Sequence, residues 1–250
     1  MAWASSFSAS DLLFVGLITL FLLLEWRYPN KRYVSNWRWV VLSTALLLSG
    51  VLLTACIGWV SEGLFDTHGF LPALSTYWVH TPPVLNGLVG YLCVTFINYW
   101  WHRFRHQSDF LWRIFHQVHH STHRLQTIAA FYSHPFDYYS TVVIVNLVAY
   151  GLFGFNVESA AFTTVWVGVF EVWEHTNIRT PIWLGYLVAR PEMHRIHHEF
   201  GKHQNNYGLP IWDMLFGTYE NSNREVDCGF TRQREARLVD MLLLRDVHQR

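Results

Sequence analysis

The chain has 250 residues, of which 51% are hydrophobic, 17% are aromatic and only 14% are charged. A soluble domain normally carries about a quarter charged residues, so this composition indicates a membrane protein. The formal net charge is zero, which gives no electrostatic argument for a nucleic-acid partner. Cys56, Cys93 and Cys228 lie far apart and form no C-x-x-C motif, so neither a disulfide framework nor a thiolate metal site is indicated.

Five apolar runs predict the main helices in chain order. A spanning helix needs about 20 apolar residues, so the first three runs predict membrane spans: Leu12–Leu24, Val40–Val60 and Val84–Trp101. The two shorter runs, Thr141–Phe155 and Ala160–Trp173, predict a helical hairpin that enters the bilayer only partly. No basic residue precedes the first run and no convincing cleavage site follows it, which predicts a retained anchor rather than a signal peptide.

The basic residues predict the orientation of these spans. All 18 Lys and Arg lie in three segments, 27–38, 103–124 and 179–250, and none lies before the first run, in the loop 61–83 or at the hairpin turn. Basic residues are enriched on the cytoplasmic side of membrane proteins. A chain that starts outside and crosses three times before the hairpin places every basic residue in the cytoplasm, which is the topology we predict.

Nine histidines lie in four clusters along the chain. They are His102 and His106 (H-x-x-x-H), His116, His119 and His120 (H-x-x-H-H), His175, and His194, His197 and His198 (H-x-x-H-H). Residues three and four apart share one face of a helix, so each box directs its imidazoles toward one point. Neutral imidazole binds iron, zinc, copper and nickel, and nine rings are too many for one ion. The spacing therefore predicts a pair of metal ions rather than a stripe of core histidines.

The position and composition of the boxes restrict the function. His102 follows the third run and His175 follows the hairpin, which predicts a site at the cytoplasmic mouth of the membrane region. A metal transporter would place its ligands near the bilayer midplane. Soluble di-iron bundles use Glu-x-x-His pairs, whereas these boxes contain no carboxylate. The pattern is therefore typical of a membrane-embedded histidine-only variant, which acts on a substrate dissolved in the bilayer.

The order of these motifs resembles the fatty acid hydroxylase (sterol desaturase) superfamily. The resemblance rests on the boxes in sequence with His134-Pro135, His175-Thr-Asn177, Asn206-Tyr207-Gly208 and the closing segment Trp212–Tyr219, and it covers about residues 85–220. It implies a non-haem di-iron oxygenase that activates O2 and oxidises an unactivated C–H bond of a lipid. Hydroxylation is the implied outcome, and desaturation at the same site is the alternative.

The resemblance also implies roles for individual residues. The eight box histidines and His175 would be the iron ligands, and Asn177 would hold a metal-bound water or orient a ligand. Relatives often have a further histidine near His175 that this chain lacks, so the ligand count stays open, as do ligand roles for His123, His134 and His203. The histidines in the 61–83 loop, His68 and His80, are predicted to lie on the opposite side of the membrane.

Glu171 lies one helical turn before His175 and is predicted to accept a hydrogen bond from it, because a ligating histidine usually donates its other N–H to an oxygen. An ion pair at the end of the span is the alternative. The same role is open to further carboxylates near the boxes, which are Asp109, Asp137, Glu174, Glu192, Glu199 and Asp213. Asp213, in the closing segment, is predicted to be structural.

No electron-transfer motif accompanies the boxes. The chain has no G-x-G-x-x-G, no C-x-x-C-H and no His-Pro-Gly-Gly segment, and Phe136 follows His134-Pro135. We therefore predict an external electron donor, which would be a ferredoxin, a cytochrome or a reductase. A membrane metal-binding or transport protein and a di-zinc hydrolase remain alternatives, because imidazole also binds zinc.

Together these features predict an all-α integral membrane helical bundle with three spans, a helical hairpin and a cytoplasmic histidine-rich helical cap. The chain is predicted to be one membrane domain, residues 1–250, with N-terminal spans in 1–84, the di-metal catalytic region in 85–220 and a C-terminal cytoplasmic tail in 221–250. The membrane would be a bacterial inner membrane or the endoplasmic reticulum.

The first testable prediction concerns this topology. Reporter fusions at Arg250 and within the Ser61–Pro83 loop are expected to give opposite signals, because the basic residues place only the C-terminal side in the cytoplasm. The measurement is the activity of a paired reporter that works on one side of the membrane only. The same signal from both fusions would contradict the three-span topology.

Overall fold

A computed structural model describes residues 8–34, 36–65 and 70–247 of the chain. Within them every regular element is helical, and the sole strand-like pairing is an isolated bridge between Glu199 and Cys228. The all-α class is therefore confirmed. The helices are α1 (Ala9–Arg27), α2 (Trp37–Phe65), α3 (Pro72–Trp78), α4 (Pro83–Gln107), α5 (Asp109–Leu111), α6 (Gln117–Ser121), α7 (Pro135–Asn146), α8 (Val157–His175), α9 (Pro191–His197), α10 (Pro210–Phe216), α11 (Arg232–Glu235) and α12 (Leu238–Leu242).

Four short segments of other helical types complete the chain. Trp112–His116 and Leu147–Leu152 are π-helical, and Thr127–Phe131 and Ile182–Tyr186 are 3₁₀-helical. The first π-helical segment joins α5 to α6 without a break, so residues 109–121 form one helical stretch that carries the second histidine box. A π-helical turn inside a helix rotates the residues that follow it, and such turns are frequent at functional sites.

Two described helices are long and apolar enough to cross a membrane, α1 and the Trp37–Ser61 portion of α2. Few of their side chains are buried inside the protein, so their apolar surfaces face outward. The third predicted span lies within α4, which packs along α8 and buries part of its surface there. The helical segments agree with the sequence, whereas the number of three spans and the cytoplasmic side of the cap remain predictions.

The predicted hairpin is formed by α7, its π-helical extension and α8. Gly154 adopts a φ of 61°, a left-handed conformation that glycine accepts without steric cost and that reverses the chain. Asn156 then caps α8, because its side-chain oxygen accepts a hydrogen bond of 2.9 Å from the backbone N–H of Ser159. The turn therefore lies where the sequence places it, between the two apolar runs.

Close packing of α4 on α8 fixes the position of the histidines. The two helices run in the same direction, since Asn86 near the start of α4 donates to Ser159 near the start of α8. At Gly87 a Cβ atom would lie 2.4 Å from the Cβ of Phe162, so only glycine permits this approach. Parallel helices end on the same side, so the histidines at the C-terminal end of α4 lie close to the histidine at the C-terminal end of α8.

This contact gives a prediction about stability. Gly87→Ala is expected to destabilise the protein by about 1–3 kcal/mol, because the added methyl group overpacks the α4–α8 contact. The measurement is thermal unfolding of the purified protein in detergent. Gly16→Ala is the matched control, since a Cβ at Gly16 in α1 would meet no heavy atom within 4 Å. Equal unfolding temperatures for the two variants would contradict the proposed constraint.

Candidate metal centre

The nine predicted histidines meet in two adjacent groups. The first group contains His102, His106, His116, His120 and His197, and the second contains His119, His175, His194 and His198. Within each group the candidate ligand atoms lie within 4.8 Å of one another. The groups are in contact, because the rings of His120 and His198 stack with centroids 4.0 Å apart. The sequence spacing thus corresponds to two sites that share one location.

Each H-x-x-H-H box contributes to both groups. In the second box, His116 and His120 face the first group, while His119 faces the second group. The third box is divided as well, since His197 joins the first group while His194 and His198 join the second. Residues four apart share a helical face, and the intervening histidine faces sideways from it. The two candidate sites are therefore built on common helices.

The Nε2 atoms face each other within each group. In the first group the separations are 2.8 Å for His102–His116, 3.1 Å for His116–His120 and 3.1 Å for His120–His197. In the second group they are 3.2 Å for His119–His175, 3.0 Å for His175–His194 and 3.0 Å for His194–His198. Imidazole binds such metals at about 2.0–2.1 Å, and two ligands at right angles would then lie about 3 Å apart. The observed separations match the edges of a metal coordination shell.

The tautomers of three histidines support this interpretation. The Nδ1 atom of His102 lies 2.7 Å from the backbone oxygen of Tyr207, and that of His197 lies 2.6 Å from the oxygen of Asn205. The Nδ1 atom of His175 lies 2.7 Å from the oxygen of Glu171. A carbonyl only accepts hydrogen bonds, so Nδ1 must carry the proton and Nε2 must present a bare lone pair. Facing lone pairs repel unless a cation lies between them, so the residues fit a metal pair.

Three further side chains contact the Nδ1 atoms of three more rings. The Nδ1 atom of His116 lies 3.2 Å from the carboxylate of Asp137, which also accepts from Arg105. The Nδ1 atom of His194 lies 3.3 Å from the Glu174 carboxylate, and that of His119 lies 3.1 Å from the Ser133 hydroxyl. Such partners fix the orientation of a ligating ring and increase its basicity. Asp137 and Glu174 thus occupy the role that the sequence proposed for nearby carboxylates.

Burial keeps these imidazoles neutral. Removal from solvent lowers the pKa of His197 to about 3, although its hydrogen bond to Asn205 opposes the shift. For six more box histidines, burial is the largest cause that lowers the pKa well below 6.5. These are His102, His116, His119, His120, His194 and His198. Neutral imidazole is the form that binds a metal ion. The rings are therefore in the protonation state that ligation requires at neutral pH.

A loop with strained backbone supplies three of the contacts to the Nδ1 atoms of the histidines. His203, Asn205 and Asn206 adopt φ values of 46°, 68° and 47°, which are uncommon for residues other than glycine. The loop provides the carbonyl oxygens of Asn205 and Tyr207, and the Nδ1 atom of His203 lies 3.1 Å from that of His120. Strained backbone of this kind concentrates at functional sites. This support of the histidines by the loop was not predicted from the sequence.

Asp213 anchors the same loop. Its carboxylate accepts hydrogen bonds of 2.8 Å from the backbone N–H of Tyr207, 3.2 Å from that of Gly208 and 2.7 Å from the Thr218 hydroxyl. Burial is the main cause that raises the pKa of Asp213, to about 7. The contacts are the structural ones that the closing segment predicted, and they hold the carbonyl oxygen that faces His102.

The open histidines lie outside the two groups. The Nδ1 atom of His203 contacts the Nδ1 atom of His120, whose Nε2 atom faces His116 on the other side of the ring. The position of His203 is therefore that of a residue that supports the His120 ring. His123 pairs with Glu235, with 2.5 Å between Nδ1 and Oε2. His134 caps α7, since its Nδ1 atom accepts from the backbone N–H of Phe136. His80 follows α3 and belongs to neither group, while His68 lies outside the described residues.

Two residues predicted to be catalytic have other contacts than expected. The backbone oxygen of Glu171 accepts from His175, while its carboxylate lies 3.8 Å away. The side chain of Asn177 is engaged by Lys31, accepting from its backbone N–H at 3.1 Å and donating to its carbonyl at 2.7 Å. Asn177 therefore ties the segment after α8 to the segment after α1.

Two other candidate carboxylates are engaged by residues outside the boxes. Glu192 accepts from the backbone N–H and the hydroxyl of Thr180, at 2.6 and 2.8 Å. Glu199 accepts from Arg224 at 2.7 Å. The third, Asp109, begins α5 and lies in its first turn. Glu192 and Glu199 thus hold the loops that connect the helices, which explains their place near the boxes in sequence.

A large cavity leads from the membrane helices to the histidines. It has a volume of about 1180 Å³ and is lined by residues of α1, α2, α4, α7 and α8. Its walls are mainly apolar, and they reach His102 and His116 of the first group and His119 of the second. Along α8 it extends from Val157 to Glu174, which is about 26 Å at the helical rise per residue. An elongated apolar ligand can therefore approach both groups.

Comparison with known proteins identifies relatives of this chain. The pattern of the family described as fatty acid hydroxylase matches residues 87–218. Ornithine lipid hydroxylase OlsE of Rhizobium tropici is 31% identical over 204 residues, which cover 75% of this chain and 59% of the relative. Alkylglycerol monooxygenase of Homo sapiens is 29% identical over 147 residues, which cover 57% of this chain and 32% of the relative. Very-long-chain aldehyde decarbonylase GL1-9 of Oryza sativa subsp. indica is 26% identical over 160 residues, which cover 60% of this chain and 62% of the relative.

The chain spans between 32% and 62% of the length of these three relatives. No solved structure matches the chain significantly. The matched region contains every one of the nine clustered histidines, from His102 to His198.

The contacts to the Nδ1 atoms of the histidines give a prediction about metal affinity. Asp137→Asn is expected to weaken metal binding about 10–100-fold, because it removes the carboxylate that orients His116. Glu171→Gln is the matched control and should retain the metal, since the backbone oxygen that contacts His175 is unchanged. His175→Ala should cost more than either change. The measurement is metal content per chain during titration with a chelator.

The relative order of these variants decides the outcome. Equal metal loss in Glu171→Gln and Asp137→Asn would contradict the assignment of the backbone oxygen as the partner of His175. Full retention in His175→Ala would remove this residue from the proposed ligands.

Proposed function

The chain belongs to the fatty acid hydroxylase family, and we propose that it is an O2-dependent di-iron enzyme that oxidises a C–H bond of a membrane lipid, by hydroxylation. The observation that carries the proposal is the apolar cavity that reaches both histidine groups. A protein that stores or transports metal needs no such cavity beside its ligands. The substrate would be a fatty acyl chain or a sterol-like lipid.

The two histidine groups would each hold one iron ion. Bound iron would supply the reductive activation of O2 that oxidation of an unactivated C–H bond requires. The backbone oxygens of Asn205 and Tyr207 keep the Nε2 lone pairs of His197 and His102 free for the metal. Asp137 would balance part of the positive charge, because its carboxylate lies beside His116 and Arg105.

The cavity would position the lipid and exclude water. Its length of about 26 Å along α8 exceeds half the thickness of a hydrocarbon core, which is about 30 Å in total. A lipid chain from one leaflet therefore fits along it with a carbon atom close to the histidines. Val94 and Val165 give the wall an apolar surface, and Glu171 and Glu174 provide polar groups at the end beside His175.

We also propose the cellular arrangement that the sequence predicts. The spans of residues 1–84 would anchor the catalytic region 85–220, with the histidines and the tail 221–250 on the cytoplasmic side. Electrons would come from a separate ferredoxin, cytochrome or reductase, because the sequence carries no motif for a second redox cofactor. The basic residues of the cap offer a surface of suitable charge for an acidic donor.

Desaturation is the second candidate reaction, since it needs the same site and the same cavity. The names of two relatives, a lipid hydroxylase and a monooxygenase, favour oxygen insertion, whereas a third relative is named a decarbonylase. These names favour hydroxylation for this chain.

The proposed function is tested by lipid analysis with isotopically labelled O2. Cells that express the chain are expected to accumulate one lipid class that carries one labelled oxygen atom. His119→Ala and His197→Ala should abolish this product, because each removes a ligand from one of the two groups. His80→Ala, outside both groups, is the matched control and should be fully active.

Other products would select the alternatives. A new double bond without label would establish a desaturase, and hydrolysed lipid with zinc-loaded protein would establish a hydrolase. Unchanged lipids together with rapidly exchanging metal would support a metal-binding protein and contradict the enzyme.

A further inference from the structure

A second pocket lies beside α9 and shares no lining residue with the cavity. It has a volume of about 120 Å³ and is lined by polar residues of four segments. These are the segment after α1, the segment after α8, the helix α9 and residues 223–226. On α9, His194 and His197 face the metal centre, while Arg195 between them lines this pocket. We refer to it as the Arg195 pocket.

Arg195 is buried with donors to spare. Only 5% of the residue is exposed, and its Nη2 group donates to the backbone oxygens of Thr176 and Ile178, at 3.3 and 3.2 Å. The Nε and Nη1 groups are also buried, and they have no hydrogen-bond acceptor among the described residues. A guanidinium has five N–H donors, so three remain unused here. Buried unpaired donors on a charged group are strongly unfavourable, which indicates an acceptor other than the described residues.

Neighbouring carboxylates are engaged elsewhere. Glu192 accepts from the backbone and the hydroxyl of Thr180 and lies 3.4 Å from Arg190, while Glu225 pairs with Arg179 at 2.6 Å. Arg224, also at the pocket, pairs with Glu199 and Glu220. Within the described ranges no carboxylate lies within ion-pair distance of Arg195. The Arg195 guanidinium thus forms no ion pair with the carboxylates that line this pocket.

We propose that the Arg195 pocket binds a phosphate group. Three unused donors on Arg195 point in different directions, and a tetrahedral anion with four oxygens can accept from several of them at once. Arg179 at the rim adds positive charge, since its side chain is 71% exposed. The volume of the pocket has room for a phosphate group.

The location defines two possible sources of this phosphate. Asn30, at the pocket, follows the last residue of α1 by three positions, which is within about 10 Å of the end of a candidate span. The pocket therefore lies at the level of lipid headgroups, and an anionic phospholipid could insert its phosphate. Free inorganic phosphate has the same chemistry. In either case the ligand would tie α9 to the segment after His175 and so stabilise the metal centre.

Binding is tested on the purified full-length chain in a detergent without phosphate. Inorganic phosphate is titrated at constant ionic strength, with chloride as the reference anion, and thermal unfolding gives the apparent affinity. Arg195→Gln should weaken phosphate binding about tenfold or more, the effect of losing charged hydrogen bonds. Arg232→Gln is the matched control, an exposed arginine of α11 outside the pocket. Arg179→Glu, at an exposed position, should also weaken binding without the risk of misfolding.

A second arm distinguishes the sources. The wild-type chain and Arg195→Gln are placed in nanodiscs with phosphatidylglycerol, and lipid retained per chain is measured by native mass spectrometry. Stabilisation by inorganic phosphate that depends on Arg195 identifies a free-anion site. Retention of phosphatidylglycerol that depends on Arg195, without an effect of inorganic phosphate, identifies a lipid headgroup site. If wild type, Arg195→Gln and Arg179→Glu respond alike to inorganic phosphate, and wild type and Arg195→Gln retain equal phosphatidylglycerol, only water fills the pocket and the proposal is wrong. None of these readouts requires turnover, so the result is independent of the proposed reaction.

Discussion

The convergence of neutral imidazole lone pairs is the constraint on which the rest of the structure depends. Eight of the nine rings direct Nε2 atoms at one another over about 3 Å. For His102, His175 and His197, a backbone oxygen that accepts from Nδ1 prevents the ring from rotating or changing tautomer. Such an arrangement is unfavourable without cations, so the fold around it and the binding of metal must stabilise each other. Because both H-x-x-H-H boxes serve both groups, loss of one ion would disturb the helices that hold the other.

The scaffold meets this constraint with rigid and strained parts. The parallel helices α4 and α8 approach closely at Gly87 and Gly90. This contact fixes where the histidines at their C-terminal ends lie along the helix axes. On the opposite side, the loop of His203–Tyr207 holds two rings by backbone oxygens, and Asp213 holds the loop. Strained left-handed residues persist only where their surroundings fix them, and here the buried Asp213 carboxylate and the clustered histidines do so.

Much of this could be predicted from the sequence, because helical periodicity and apolar runs are local signals. The spacing of the boxes selected the nine histidines that meet, and the hairpin turn was located near Asn156. The division of each H-x-x-H-H box between two groups could not be predicted, since periodicity defines a helical face but not what that face packs against. The supporting carbonyl oxygens were also missed, because a backbone acceptor has no side-chain signature. Asn177 was expected at the metal for its place in a motif, whereas its hydrogen bonds go to Lys31.

The two sides of the centre have different roles. The cavity touches His102, His116 and His119 from the membrane side, whereas the Nδ1 acceptors of His102 and His197 come from the cap loop. Substitutions along the cavity in α2 would therefore change the space for a substrate without touching the contacts that orient the histidines, whereas Asp137 of α7 both lines the cavity and contacts His116. Gly50 and Thr54 of α2 line this space, on a helix that buries little of its surface in the protein. Substrate selection can thus change in the membrane helices while the cap preserves the same metal centre.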